Sequence, residues 1–363
     1  MTEEEKVKVI YNFLTTEIAY SHVPFLNSNY IPNKPSKTIS TRIGDCKDVS
    51  SLMISMLREL NIEAYYVLVR TSDFTHLESR PSVLAFNHVL VGYRLKGKEM
   101  RYVDLTTDYF SNNVLPKNNN DQWGLLIKSN ESELFRLPND QLNVDKNFFK
   151  IKTNARIEDE RNLVFQVKIE AKGLIAGEWR ELLNNKTTQN DHLLFWKENL
   201  ASAEFDHLKI QNFSFEFLSN IDSSLMASLE LKAFHHLEKV SNFQILQLPI
   251  LHPITTRTAL FGEIRHNNLS LGDLFNLAPS EQTIDLQIPN GYEFLETPRD
   301  IIRENEFGSY QLIFRKKKSG LRVSRKLVFK QHFLSSESYS DFKIFYLEML
   351  DGDRTKLAIR KRK

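Results

Sequence analysis

Between Arg42 and Thr71 the chain changes its hydrophobic period, and this change constrains the fold more than any other feature. Over residues 46–60 the apolar positions are Val49, Leu52, Met53, Met56, Leu57 and Leu60. They form one stripe of a helix lying on a core. The next stretch, IEAYYVLVRT, is rich in β-branched and aromatic residues and reads as a buried strand. FNHVLVGYRL and MRYVDLTT read as two further strands joined through LKGK, where Gly97 serves a left-handed turn position. A helix on an antiparallel sheet is an α+β core. Upstream, residues 2–20 predict a helix: Thr2 and Glu5 fit a capping box, and Val7, Ile10, Tyr11, Leu14 and Ile18 share a face. Residues 21–41, with Pro24, Pro32 and Pro35, predict a loop, and KNNNDQ at 117–122 predicts a surface loop.

A chain of 363 residues exceeds the roughly 250 that one core usually spans. We expect a core over 1–140, a mixed α/β domain over 141–256 and a β-rich, sandwich-like domain over 257–363. In the middle segment NLVFQVKIEAKG, HLKIQNFSFEFL and SLMASLELKAF alternate as strands, while LIAGEWRELL and HLLFWKENLA read as helices. From Pro253 onward QTIDLQIP, NGYEFLE, YQLIFRKK, LRVSRKLVFKQ and FKIFYLEML all read as strands.

Several function classes are disfavoured. A formal charge of +2, with no basic stripe interleaved with aromatics, argues against nucleic acid as a partner. No apolar run approaches the roughly 18 residues of a membrane span. The opening MTEEEKVKVI lacks the basic and apolar regions of a secretory leader. A single cysteine rules out an intrachain disulfide and a multi-cysteine zinc site. No metal or cofactor is expected. The basic tail RTKLAIRKRK reads as a solvated end.

The lone Cys46 is the centre of interest. A thiol attacks as the thiolate, which is favoured by the positive end of a helix and by a neighbouring imidazolium. Gly44 permits a sharp turn, Asp45 is a plausible N-cap, and the amide of Cys46 becomes a free donor able to face an oxyanion. His88 lies inside the apolar run FNHVLVGY, where a polar ring needs a partner. Asp104 is equally out of place in RYVDLTT. A three-residue loop, Leu95–Gly97, would pair Arg94 with Lys98 and His88 with Asp104. The two side chains would then share a face, in reach of one another. Taken singly, a cysteine at a helix start, a histidine in a strand and an aspartate in a strand are each more often structural.

The stretches RIGDCKDVSSLMISMLRELNIEAYYVLV, FNHVLVGY and RYVDLTT resemble the transglutaminase-like superfamily over residues 1 to about 128. That superfamily is a rearranged relative of papain-like cysteine proteases. The resemblance implies that Cys46 is a nucleophile, His88 a general base and acid, and Asp104 the group orienting His88. LQIPNGYEFLETP and the strands after it resemble the C-terminal domain of a bacterial branch, in which β-rich domains of unknown role flank the core. Members of that branch usually carry a β-rich domain before the core, often behind an export signal. This chain instead opens on the first core helix, so either a shorter architecture or a truncation is expected; the compartment is left open, an exported (periplasmic or secreted) fragment being one option because related proteins are often exported. Superfamily members often take a second oxyanion donor from upstream of the nucleophile. The polar candidates here are Tyr20, Asn27, Asn29 and Tyr30.

The expected reaction is acyl transfer on peptide or protein amides through a thioester, ending in hydrolysis or in transfer to an amine. The polar loop Ser72–Ala85 is a candidate for selecting substrate, and Asn87 for positioning His88. Two alternatives stand beside this reading. One is a non-catalytic binding or scaffold protein built on the same core. The other is a metal site from His235, His236 and Glu238, disfavoured because neighbours on a strand point to opposite faces.

Overall fold

The Thr2 hydroxyl accepts a hydrogen bond from the amide of Glu5 while the Glu5 carboxylate accepts one from the amide of Thr2, and this capping box starts α1 (Glu3–Glu17). The structure, a computed structural model, describes residues 1–23, 25, 30–72, 81–82, 85–186, 188–200 and 207–362. Val7, Ile10, Tyr11, Leu14 and Ile18 are all buried, as the spacing requires. The helix is pinned at a distance: the Tyr11 hydroxyl donates to the carbonyl of Phe110 at 2.6 Å.

Two short strands, β1 (Ala19–Tyr20) and β2 (Ile43–Gly44), run parallel, with Tyr20 opposite Gly44. Between them lies α2 (Pro35–Thr41), in a stretch expected to be loop. Proline density there reads as loop, but Pro35 occupies the first helical turn, where a missing N–H costs nothing. Next comes α3 (Cys46–Glu59), then β3 (Glu63–Val69), β4 (His88–Arg94), β5 (Met100–Val103), β6 (Trp123–Ile127) and β7 (Ser132–Arg136). The last five form an antiparallel sheet ordered β5-β4-β3-β6-β7. Val67, Val69, Leu90 and Leu126 of this sheet make an apolar cluster with Leu115 and Leu137.

The β4–β5 register differs from the expected one. Arg94 pairs with Met100 and Val91 with Val103, so five residues connect the strands rather than three. Within that loop Lys98 N donates to Leu95 O at 3.0 Å, and Gly97 takes a φ of 70°. A two-residue slip leaves the alternation of side chains unchanged, so His88 and Asp104 keep the same parity.

Met1–Gln141 is one compact unit and Leu142–Lys363 a second. The second unit contains β8 (Phe148–Ile157), β9 (Leu163–Lys172), α4 (Leu174–Asn184), α5 (Gln189–Leu200), β10 (Leu208–Glu216), β11 (Leu225–Ala233), β12 (Leu237–Val240) and β13 (Phe243–Gln247). It continues with β14 (Leu269–Ser270), β15 (Ser280–Gln287), β16 (Tyr292–Phe294), β17 (Ile301–Glu304), β18 (Gly308–Lys317), β19 (Gly320–Phe329), β20 (Phe333–Leu334), α6 (Tyr339–Asp353) and β21 (Lys356–Lys361). An eight-stranded sheet is ordered β10-β11-β9-β8-β15-β19-β18-β17, a four-stranded one β12-β13-β21-β16, and β14 pairs with β20. One apolar core joins the two larger sheets and the helices.

Two features of this unit depart from expectation. Strand β8 pairs in parallel with β15, so a single sheet runs across the boundary placed at 256/257. Alternation marks strands but says nothing of which strands pair. FKIFYLEML, expected as a strand, lies within α6. Its buried Phe342, Phe345, Tyr346, Met349 and Leu350 recur at helical spacing, and this periodicity overrides the strand preference of the aromatics. The architecture is α+β: the helix-and-sheet core is followed by β-rich regions carrying three helices. Among the described residues no helix is long and apolar enough to cross a membrane.

Candidate active site

Each residue of Gly44–Asp48 has a local task at the start of α3. A Cβ on Gly44 would lie 2.8 Å from Cβ of Asp48, so only glycine allows the entry. Asp45 is the N-cap, its Oδ1 accepting from the amides of Lys47 and Asp48 at 2.9 and 3.1 Å. Asp48 completes the box on the amide of Asp45 and also accepts from the backbone and side chain of Asn33. Lys47, almost fully buried, sets its Nζ 2.6 Å from Asp45 Oδ2 and over the ring of Phe25. It thereby offsets a carboxylate lying next to the thiol. With the amides of Lys47 and Asp48 taken by Asp45, the cap leaves the Cys46 amide without an acceptor among the described residues.

Cys46 is 1 % exposed. His88, the first residue of β4, lies beside it, near enough for the two side chains to influence one another's charge. The ring's Nε2 lies 3.0 Å from Oδ2 of Asp104, so Nδ1 is the nitrogen left for the sulfur. Asp104 sits one residue beyond β5 and reaches back to the ring. Its Oδ1 accepts from the amide and hydroxyl of Thr106 at 2.9 and 2.7 Å, and its Oδ2 from Asn119 Nδ2 at 2.7 Å.

Electrostatics follow from that packing. Burial works against a charged His88 ring, but the Asp104 carboxylate outweighs it, and the imidazolium form persists to about 10. Burial would raise Asp104; the His88 ring and the Thr106 donors overcome this and bring it down to about 2. Burial, then the neighbouring Cys46 and Asp104, push the Tyr20 phenol well up, so it keeps its O–H beside the sulfur.

A stability prediction follows. The contribution of His88 is complete below its ordinary value of 6.5 and is lost as pH rises through about 10. That of Asp104 is complete above 3.8 and lost as pH falls through about 2. The urea midpoint of the N-terminal unit should therefore fall between pH 6.5 and 10, and His88→Ala should flatten that limb.

The structure brings Cys46, His88 and Asp104 together, with Tyr20 beside the sulfur. Tyr30 is 69 % exposed, its ring 6.0 Å from that of Phe25. Asn27 and Asn29 lie outside the described residues, as does most of the Ser72–Ala85 loop. Asn87 bonds Thr71 through both side-chain atoms, tying the end of β3 to the approach to β4. Thr106 and Asn119 are site neighbours that sequence reading missed. KNNNDQ was expected at the surface, yet Asn119 and Asn120 are fully buried and Gln122 nearly so. Polar composition signals exposure only when the amides find no internal partners, and here they do.

The metal alternative gains nothing from the geometry. His235 is exposed, Glu238 is exposed, and His236 bonds the carbonyl of Gln247 at 3.0 Å. Among the described residues no group of three His, Cys, Asp or Glu is placed to hold a metal.

Residues 1–105 match the model of the Transglutaminase-like superfamily, and this part of the chain is a transglutaminase-like core. Residues 247–359 match the domain of unknown function DUF3858. No curated protein matches the chain. A crystal structure of a "putative protease" from Parabacteroides distasonis ATCC 8503 superposes with a TM-score of 0.52 at 13% identity. The alignment covers 99% of this chain and 52% of that one, so the chain spans about half the length of that protein.

Proposed function

We propose that the N-terminal unit is a cysteine-dependent acyl-transfer site acting on peptide or protein amides. The observation that carries this reading is the 3.0 Å contact of His88 Nε2 with Asp104, which leaves the other ring nitrogen for Cys46 at the start of α3. The Cys46 sulfur attacks the amide carbon. Charge developing on the carbonyl oxygen is met by the Cys46 amide and the Tyr20 hydroxyl. As the C–N bond breaks, His88 gives a proton to the departing amine and a thioester remains. Water then yields an acid, or a primary amine yields a new amide, with His88 taking the proton from the attacking group. Asp104 keeps the ring oriented throughout.

The full chain incubated with a glutaminyl peptide, with and without a labelled primary amine, should give products whose masses separate hydrolysis from transfer. Cys46→Ala should give neither. The burial of Cys46 favours a second reading, a binding or scaffold protein on the same core. That reading predicts no turnover, with slow alkylation of Cys46 that is unaffected by His88→Ala.

A further inference from the structure

Both oxygens of Asp104 are engaged. Thr106, two residues on, holds Oδ1 from within the same loop. Oδ2 is shared between His88 and Asn119, and Asn119 comes from a separate segment fifteen residues away. That segment is firmly built. Asn119 ends a three-residue 3₁₀ turn, Lys117–Asn119, with its amide on Pro116 O at 3.0 Å. Next to it, Asn120 donates to Leu115 O and Pro116 O and accepts from the amide of Asp140.

The Asn119 amide can face only one way. Turned over, its carbonyl oxygen would oppose the carboxylate at the same 2.7 Å, a repulsive contact. In the orientation present, its Oδ1 meets no donor among the described residues. A fully buried amide that uses one N–H and neither lone pair of its oxygen among the described residues is unfavourable for stability. The one side-chain bond it does make falls on the carboxylate that orients His88.

We propose that Asn119 is a positioning residue: by clamping Oδ2 of Asp104 it holds the His88 ring on the Cys46 sulfur. The inference rests on the acyl-transfer reading above. Thr106 alone leaves the carboxylate free to turn about Oδ1 and take the imidazole with it. The clamp from Asn119 removes that freedom, and small displacements at a reacting group are expensive in rate.

The test is a double-mutant comparison on the full chain, reading the rate at which iodoacetamide alkylates Cys46 at pH 6. Asn119→Leu, similar in volume but without the donor, should slow alkylation about tenfold. In an Asp104→Ala background the same substitution should change the rate less than about twofold, because the amide acts through the carboxylate. An unchanged rate in Asn119→Leu, or losses that multiply in the double variant, would overturn the proposal. Rates insensitive to both His88→Ala and Asp104→Ala would instead overturn the acyl-transfer reading, a separate outcome. Should Asn119→Leu not fold, Asn119→Ser, too short to span the gap, serves in its place, and wild-type rates in that variant count against the clamp.

Discussion

His88→Ala is expected to slow the alkylation of Cys46 near pH 6 by about 100-fold, the usual scale for losing a positioned acid–base partner. The wild-type thiol should in turn outpace a free cysteine derivative under the same conditions. The reason lies in what surrounds the sulfur. Among the groups packed there, Asp45 and Asp104 carry negative charge, and Lys47 is committed to Asp45 at 2.6 Å. The His88 ring, kept protonated by Asp104, is a cation placed beside Cys46. Removing it takes that positive charge away from the sulfur, while the helix N-terminus and the Tyr20 hydroxyl remain. Intact mass after timed quenching measures the rate directly, since the chain has one cysteine.

Asp353→Ala is expected to destabilise the second unit by about 3–5 kcal/mol, the cost of stranding one member of a buried ion pair. Arg325 and Asp353 are each about 1 % exposed and meet through two bonds, 2.6 and 2.8 Å long. Asp353 also accepts from the Tyr310 hydroxyl at 2.8 Å and from the amide of Ile254 at 2.7 Å. Its loss strands a guanidinium, a phenol and a backbone N–H together. Replacing both charges, as Arg325→Met with Asp353→Leu, should recover much of the loss, because two apolar groups carry no desolvation penalty. Guanidinium unfolding followed by tryptophan emission suits the measurement, since Trp179 and Trp196 are buried in that core with their rings edge-on at 5.6 Å.

The helix α3, its cap and the strands around it were legible because each rests on local chemistry. Asp45 needs only the two amides after it, and the apolar stripe from Val49 needs only its own period. The meeting of His88 with Asp104 was legible for a weaker reason. The expected three-residue loop is in fact five, yet parity survived the slip of two. An odd error would have placed the pair on opposite faces. Asn119 was not legible, because a polar run carries no sign of the partners it will find fifteen residues away. Tyr20 could be named only as one of four upstream candidates. Its place beside the start of α3 follows from the parallel pairing of Tyr20 with Gly44, a contact between segments with no shared pattern. The same limit hid the β8–β15 pairing, whereas α6 was misread because aromatic strand preference was weighed above helical spacing.

The central claim is best tested with p-nitrophenyl acetate, an activated acyl donor small enough to enter a nearly closed site. Mixed with the full chain, it should release a burst of nitrophenolate equal to the amount of protein. An acetyl group should then be found on Cys46, removable by hydroxylamine, and both signals should vanish in Cys46→Ala. A chain that gives no burst and keeps an unmodified Cys46 would contradict the account.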